Sequence, residues 1–137
     1  MQIKVDKKSL EDLIDRLEDG GMDDILYRSM ELLGNEALAV VKKNTPVSTG
    51  QLRRGWYIAR LNKERVMLKN PISYAEYVEY GHRQNVGQFV PKLGKRLKRP
   101  WVRGIFFARR SEETMRKKAD GILRPFITEE LEKLING

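Results

Sequence analysis

Cysteine is absent from this 137-residue chain, and histidine occurs once, as His82. Without cysteine the chain has no disulfide framework and no thiolate metal site. A metal cluster built from histidines is also impossible, and a Ser/His/Asp triad would have to use His82. One histidine beside a glycine is weak evidence for catalysis, so we expect a structural or surface role. We predict no cofactor, no metal and no enzyme activity, with His82 as a catalytic base the weaker alternative.

Long apolar runs are also missing. A stretch such as ALAVV (37–41) falls far short of the roughly 20 apolar residues of a membrane span. The start of the chain, MQIKVDKKSLEDL, lacks the apolar core of a signal peptide. We therefore expect a protein that is made in a cytoplasm, does not enter a membrane and, at this length, forms a single domain over 1–137.

Acidic residues are missing from the middle of the chain. Residues 80–111 hold nine Lys or Arg and no Asp or Glu, whereas residues 1–36 hold ten acids and five bases. This polarity indicates a partner, either nucleic acid or an acidic protein surface. The candidate contacts to a subunit or to DNA are Arg54, Glu76, His82, Arg83, Lys92, Lys95, Arg96, Lys98, Arg99 and Arg103.

The run KLGKRLKRPWVR (92–103) concentrates this positive charge. It can contact phosphates, with Phe89 or Trp101 available to stack on bases. It can instead be a solvated loop, or an arm that orders against a neighbouring subunit. The run lacks a base-reading motif, so any binding to nucleic acid would be electrostatic and salt-sensitive. All three interpretations stay open at the level of the sequence.

The hydrophobic spacing that is present indicates an α+β fold. The apolar residues of 9–18 (SLEDLIDRLE) recur at helical spacing, Ser9 can cap this helix, and the glycines at 20–21 end it. A longer helix follows from Asp23 to about Asn44 and stops there, because a residue before a proline avoids helical angles. Residues 1–44 are thus a helical N-terminal part.

Residues 45–82 contain an elbow, a hairpin and a short segment rich in tyrosine. The apolar residues of 52–61 and 64–70 alternate, which predicts the two strands of an antiparallel hairpin. Residues 72–82 (ISYAEYVEYGH) then predict a short helix that ends at Gly81, with a strand as the alternative.

The last part of the chain shows less regular patterns. Residues 83–104 are predicted to be a long basic loop, since no hydrophobic period is visible there. Residues 105–137 regain a helical period, with Gly121 and Pro125 interrupting it. We expect a kinked C-terminal helix or two helices in tandem.

The elbow segment TPVSTGQLRRGW (45–56) carries too many unusual residues for a plain loop. Its Ser-Thr-Gly offers local hydrogen bonds and a glycine that can take a positive φ angle. We expect Leu52 and Trp56 to begin a strand anchored in the core. Arg53 and Arg54 would then point to opposite faces of that strand. The segment is predicted to be a joint that positions a neighbour.

Three tyrosines, Tyr74, Tyr77 and Tyr80, recur at every third position of the short helix. We expect them to lie in the core more readily than at an interface, although an interface suits tyrosines interleaved with acids. Glu76 and Glu79 are the last acids before the basic stretch. They are therefore candidate partners for an arginine of another subunit.

Two segments, TPVSTGQLRRGW (45–56) and YAEYVEYGH (74–82), together resemble the paired signatures of the minor tail-component family of siphophages and related prophages. The first signature falls on Thr45, Pro46, Val47, Thr49, Gly50, Leu52 and Arg53. The second falls on Tyr74, Ala75, Tyr77, Val78, Glu79, Tyr80 and Gly81. The chain has Ser48 where the family commonly has Asp, and Gly55 where a small hydroxyl residue is common.

The resemblance implies a non-enzymatic virion protein of the neck or head–tail joining region that forms a homo-oligomeric ring. Its implied partners are neighbouring neck, connector or tail-tube proteins and the DNA that passes through the channel. We also hypothesise that the acidic N-terminal helices meet the basic segment of a neighbouring copy, a contact that closes into a ring. The alternative is a stand-alone basic nucleic-acid-binding module that uses residues 92–103.

Overall fold

The computed structural model describes residues 15–136. A wide π-helical turn, Leu17–Gly21, leads into helix α1, Met22–Asn44. Gly20 has φ 85° and breaks the helical angles at the place where the sequence predicts the end of a first helix. Most of the helix predicted over 9–18, including its Ser9 cap, lies outside the described residues. The longer helix and its end at Asn44 are confirmed.

A short helical turn, α2 (Gln51–Arg54), follows the elbow. The prediction that Leu52 begins a strand is therefore wrong. Gly50 takes φ 82° and its carbonyl accepts the Arg54 N–H at 3.0 Å, which closes a helical turn instead. Arg53 and Arg54 consequently do not lie on opposite faces of a strand.

The predicted hairpin is confirmed further along, by β1 (Tyr57–Leu61) and β2 (Val66–Lys69), which pair antiparallel. The Asn62 side chain accepts the backbone N–H groups of Glu64 and Arg65 at 2.9 and 2.8 Å, which explains the turn between the strands. Helix α3 (Ala75–Tyr80) follows, so the helical prediction for the tyrosine segment is also confirmed.

Residues 81–103 form a long two-stranded antiparallel hairpin, which we call the basic ribbon. At its base β3 (Gly81–Arg83) pairs with β6 (Trp101–Arg103), and near its tip β4 (Phe89–Val90) pairs with β5 (Lys95–Arg96). The irregular loop predicted here is thus an ordered ribbon. Neither face of its distal part is buried, so the alternation of apolar and polar residues that marks a half-buried strand is missing.

The chain ends in one helix, α4 (Phe107–Asn136), which continues through Gly121 and Pro125. The alternative of two helices in tandem is therefore wrong. α4 packs antiparallel along α1: Arg28 bonds Glu130 at 2.8 Å near one end, and Asn44 bonds Ser111 at 3.0 Å near the other. This contact along most of the helix holds it together across the missing proline N–H.

The α+β fold class is confirmed: residues 15–136 form two long helices, three small helical elements and three two-stranded antiparallel pairs. Ile25, Val40 and Val41 of α1, Leu52 of α2 and Phe107 of α4 form the buried apolar core. Within residues 15–136, no helix combines the length and the apolar character that crossing a membrane requires.

Candidate functional site

The first signature is organised around Thr45, which follows α1 and is 1% exposed. Its hydroxyl donates to the Val41 carbonyl at 2.5 Å and accepts the Trp56 indole N–H at 2.9 Å. One buried hydroxyl therefore ends the helix and fixes the indole. Trp56 is anchored as the sequence predicts, although it precedes β1 rather than lying inside a strand that begins at Leu52.

The two arginines of the first signature are used within the elbow. Arg53 donates to the Thr45 carbonyl at 3.2 Å, and Arg54, which is exposed, donates to the Thr49 carbonyl at 3.4 Å. Asn70 donates to the Leu52 carbonyl at 2.8 Å and so ties α2 to the end of β2. These bonds hold the elbow against the end of α1 and the end of β2, while the Arg54 side chain stays exposed.

The second signature provides the cap of the C-terminal helix. Glu79 is 5% exposed, and its carboxylate accepts the backbone N–H groups of Ala108 at 2.7 Å and Arg109 at 3.0 Å. These are first-turn donors that have no partner inside α4, and the negative charge also suits the helix dipole. Glu79 is therefore not free to bind an arginine of another subunit, and that expectation is wrong.

Gly81 and Gly104 allow the two ends of the basic ribbon to meet at this cap. Gly81 has φ 88°, and a Cβ on it would lie 2.3 Å from the Val102 carbonyl oxygen. A Cβ on Gly104 would lie 2.3 Å from the Glu79 carbonyl oxygen. No side chain fits at either place, so the close approach of the two backbones requires glycine.

Phe107 brings the two signatures together. It is 1% exposed, and its ring packs edge-to-face against Trp56 with 6.1 Å between centroids. We call Thr45, Trp56, Glu79 and Phe107 the joint. Phe107 is the first residue of α4. No local pattern in the sequence indicates its contact with Trp56, because the two residues lie far apart in the chain.

The tyrosines of α3 lie outside the core. Tyr74, Tyr77 and Tyr80 are 37%, 60% and 63% exposed, so the expectation that they are buried is wrong. The helix is only six residues long and turns its other face, with Val78 and Glu79, toward the protein. Three large side chains at a spacing of three residues therefore remain at the surface.

The cations of the basic ribbon extend into solvent. None of its seven Lys and Arg forms an ion pair with another residue of the described part of the chain. Arg96 donates to the Gly87 carbonyl at 2.9 Å, which braces the tip. The structure thus places Arg83, Lys92, Lys95, Arg96, Lys98, Arg99 and Arg103 on one protruding element.

His82 lies at the base of the ribbon, opposite Val102. Its ring is 5.6 Å from that of Tyr77, and its Nδ1 is buried without a hydrogen-bond partner among the described residues. No described carboxylate or hydroxyl is bonded to it, so the structure does not assemble a triad there. Likewise, no group of acidic or histidine side chains within residues 15–136 is suited to hold a metal ion.

The far end of the helix pair carries the opposite charge. Residues 15–31 and 128–136, which we call the acidic end, hold nine Asp or Glu against three Lys or Arg. Glu130 is its most enclosed ion-pair partner, with a side chain 14% exposed and bonded to Arg28 and Lys133. The hydrogen bond from Arg28 lowers the pKa of Glu130 below its ordinary value, against the opposing effect of desolvation.

Comparison with known families gives a match over residues 8–81, which is more than half of the chain. The matched family model is described as bacteriophage HK97-gp10, putative tail-component. The match contains both signatures and stops at Gly81, where the basic ribbon begins. No curated protein and no solved structure matches the chain. The family match shows that this chain belongs to the HK97-gp10-like family of bacteriophage tail components.

Proposed function

We propose that the protein forms an oligomeric ring at the neck of a tailed phage or prophage particle, where head and tail are joined. The ring surrounds the channel through which DNA passes, and the protein acts by assembly rather than by catalysis. Family membership supports a structural role in the tail. The station at the head–tail interface and the ring itself are the proposed part.

The observation that carries the proposal is the charge polarity of the folded chain. The acidic end has net charge −6, while the basic ribbon has seven cations and no acid. The two regions lie at opposite ends of the α1–α4 pair, roughly 30 Å apart by the rise of the helix. Because complementary surfaces on opposite ends of one molecule make heterologous contacts, repeated contacts of this kind close into rings.

Native mass spectrometry of the full chain at low and high salt tests the proposal. We expect a discrete oligomer at low salt, alone or after addition of neighbouring connector or tail-tube proteins, and a shift toward monomer at high salt because the contact is electrostatic. A strict monomer at every concentration, with no assembly on adding those partners, contradicts it.

A second candidate is a stand-alone nucleic-acid-binding module that uses residues 92–103. The exposed cations support it, as do the two aromatics that stand opposite arginines in the ribbon: Phe89 pairs with Arg96, and Trp101 with Arg83. Titration of duplex DNA at several salt concentrations separates the two functions. Tight binding by a protein that stays monomeric favours the module.

A further inference from the structure

Aromatic side chains surround the base of the basic ribbon. The Tyr80 ring lies 6.4 Å from that of Phe106, and Tyr77 lies beside His82. The Trp101 indole covers Gly81, since a Cβ there would lie 3.1 Å from Trp101 Cζ2. We call Tyr77, Tyr80, Trp101 and Phe106 the aromatic collar.

Within the described chain, the collar is left largely uncovered. Trp101 is 50% exposed, and the two tyrosines are more exposed still. Tyr and Trp are the residues that most often dominate the binding energy of protein interfaces. Several large aromatics concentrated at one place, rather than scattered singly, indicate a surface that another molecule covers.

The charges around the collar select an acidic partner. Arg83 and Arg103 flank Trp101 in the register of β3 and β6, and Arg109 lies with its guanidinium 6.0 Å from the Phe106 ring. Glu76 is the exposed acid of α3, because Glu79 is buried in the cap of α4. Arg109 also pairs with the exposed Glu113 at 3.9 Å, so three arginines against two glutamates leave the rim positive.

The acidic end of a second copy has the matching chemistry. It combines its excess of negative charge with exposed apolar side chains, namely Leu17, Tyr27 and Ile135. Within one molecule the two surfaces are separated by several Debye lengths of about 8 Å, so they cannot neutralise each other. Between two copies they can meet directly.

We propose that the aromatic collar is the socket that receives the acidic end of the next copy. This inference rests on the proposed ring and names the surfaces that build it. Duplex DNA is the weaker occupant, because its bases are stacked inside the helix and leave no apolar face for the tyrosines. The more distal cations, from Lys92 to Arg99, remain available to DNA.

Sedimentation of the full chain carrying Tyr80→Ala and Trp101→Ala tests the socket. We expect self-association to weaken by at least about tenfold, as for interface aromatics of this kind. Both side chains are at least half exposed, so the fold should persist. Tyr57→Ala is the matched control, because Tyr57 is a 47% exposed tyrosine on β1, away from the collar. It should leave association unchanged.

A charge exchange tests direct contact between the two surfaces. One variant carries Arg83→Glu and Arg103→Glu. The other carries Glu18→Lys, Asp19→Lys, Glu31→Lys and Glu132→Lys, which changes the net charge of the acidic end from −6 to +2. Neither should self-associate alone, because each then presents like charges on both surfaces. Mixed in equal amounts, they should assemble again, since the altered socket of one variant faces the altered end of the other.

The results also separate this inference from the proposed ring. Rings that form normally in the collar variant, or the absence of rescue in the mixture, overturn the socket and leave the ring standing. Loss of duplex DNA binding in the collar variant with self-association intact assigns the collar to nucleic acid and overturns the socket. A wild-type chain that never assembles contradicts the ring itself.

Discussion

The joint and the basic ribbon are adjacent in the fold and are built in opposite ways. At the joint, Thr45 and Glu79 are buried polar groups whose partners all come from the same chain. On the ribbon, the cations form no ion pairs with the described residues, and among them only Arg96 donates a side-chain hydrogen bond there, to the Gly87 carbonyl. The difference separates the part that holds the protein together from the part that meets other molecules.

The largest effect on stability should follow from removing a buried side chain of the joint. Phe107→Ala removes the most deeply buried side chain of the core, so we expect a loss of about 3–5 kcal/mol of unfolding free energy. Phe89→Ala is the matched control on the ribbon, where the ring is 51% exposed. Urea denaturation of both variants measures the contrast. Equal losses would remove the distinction between the two regions.

The cap of α4 should come next. Glu79→Ala leaves the N–H groups of Ala108 and Arg109 without their acceptor, which should cost about 1–3 kcal/mol. Glu76→Ala changes an exposed acid on the same helix and should be nearly neutral. If thermal denaturation shows the two variants to be alike, Glu79 is not the cap that the geometry indicates.

A smaller effect is expected for Glu130, and it depends on pH. Its pKa is lowered in the folded state, so its contribution to stability is complete above the ordinary value of 4.5 and is lost as the pH falls through the lowered pKa. Glu130→Gln should therefore reduce the difference in urea midpoint between neutral and acid pH. Glu132→Gln, on the exposed surface of α4, should not.

The smallest effect on stability is expected for the ribbon itself. Replacing Lys95, Arg96, Lys98 and Arg99 by neutral residues should change the unfolding free energy by about 0.5 kcal/mol or less for each site. The same variant should bind duplex DNA more weakly, and the slope of log affinity against log salt should fall by about 0.9 for each phosphate that the variant no longer neutralises. An unchanged slope would mean that these cations do not face DNA.

The joint was predictable to the extent that its signals are local. Thr45-Pro46 predicts the end of α1, because the residue before a proline avoids helical backbone angles. Gly50 predicts the turn and Gly81 predicts the end of α3, because glycine readily takes the positive φ angles found at both positions. The contact between Trp56 and Phe107 was not predictable, since it joins residues far apart in the chain.

The ribbon was predictable in charge but not in structure. Its lack of acids is plain in the sequence, whereas its strands leave no hydrophobic period because their distal residues face solvent. The prediction that the tyrosines of α3 lie in the core was wrong for a related reason. Their spacing fits a helix face, and the sequence does not say whether that face is covered by the same chain or by another.

Carbodiimide crosslinking of a mixture of isotope-labelled and unlabelled protein tests assembly through opposite ends most directly. The reagent joins lysines to carboxylates in contact, and Lys63–Asp23 at 3.1 Å and Lys133–Glu129 at 3.5 Å are internal controls within one molecule. In the variant Arg103→Lys, which places a lysine on the rim of the aromatic collar, we predict additional links between position 103 and the acidic end that combine a labelled with an unlabelled chain. Mixed links that are absent, or that avoid the acidic end, would contradict the account.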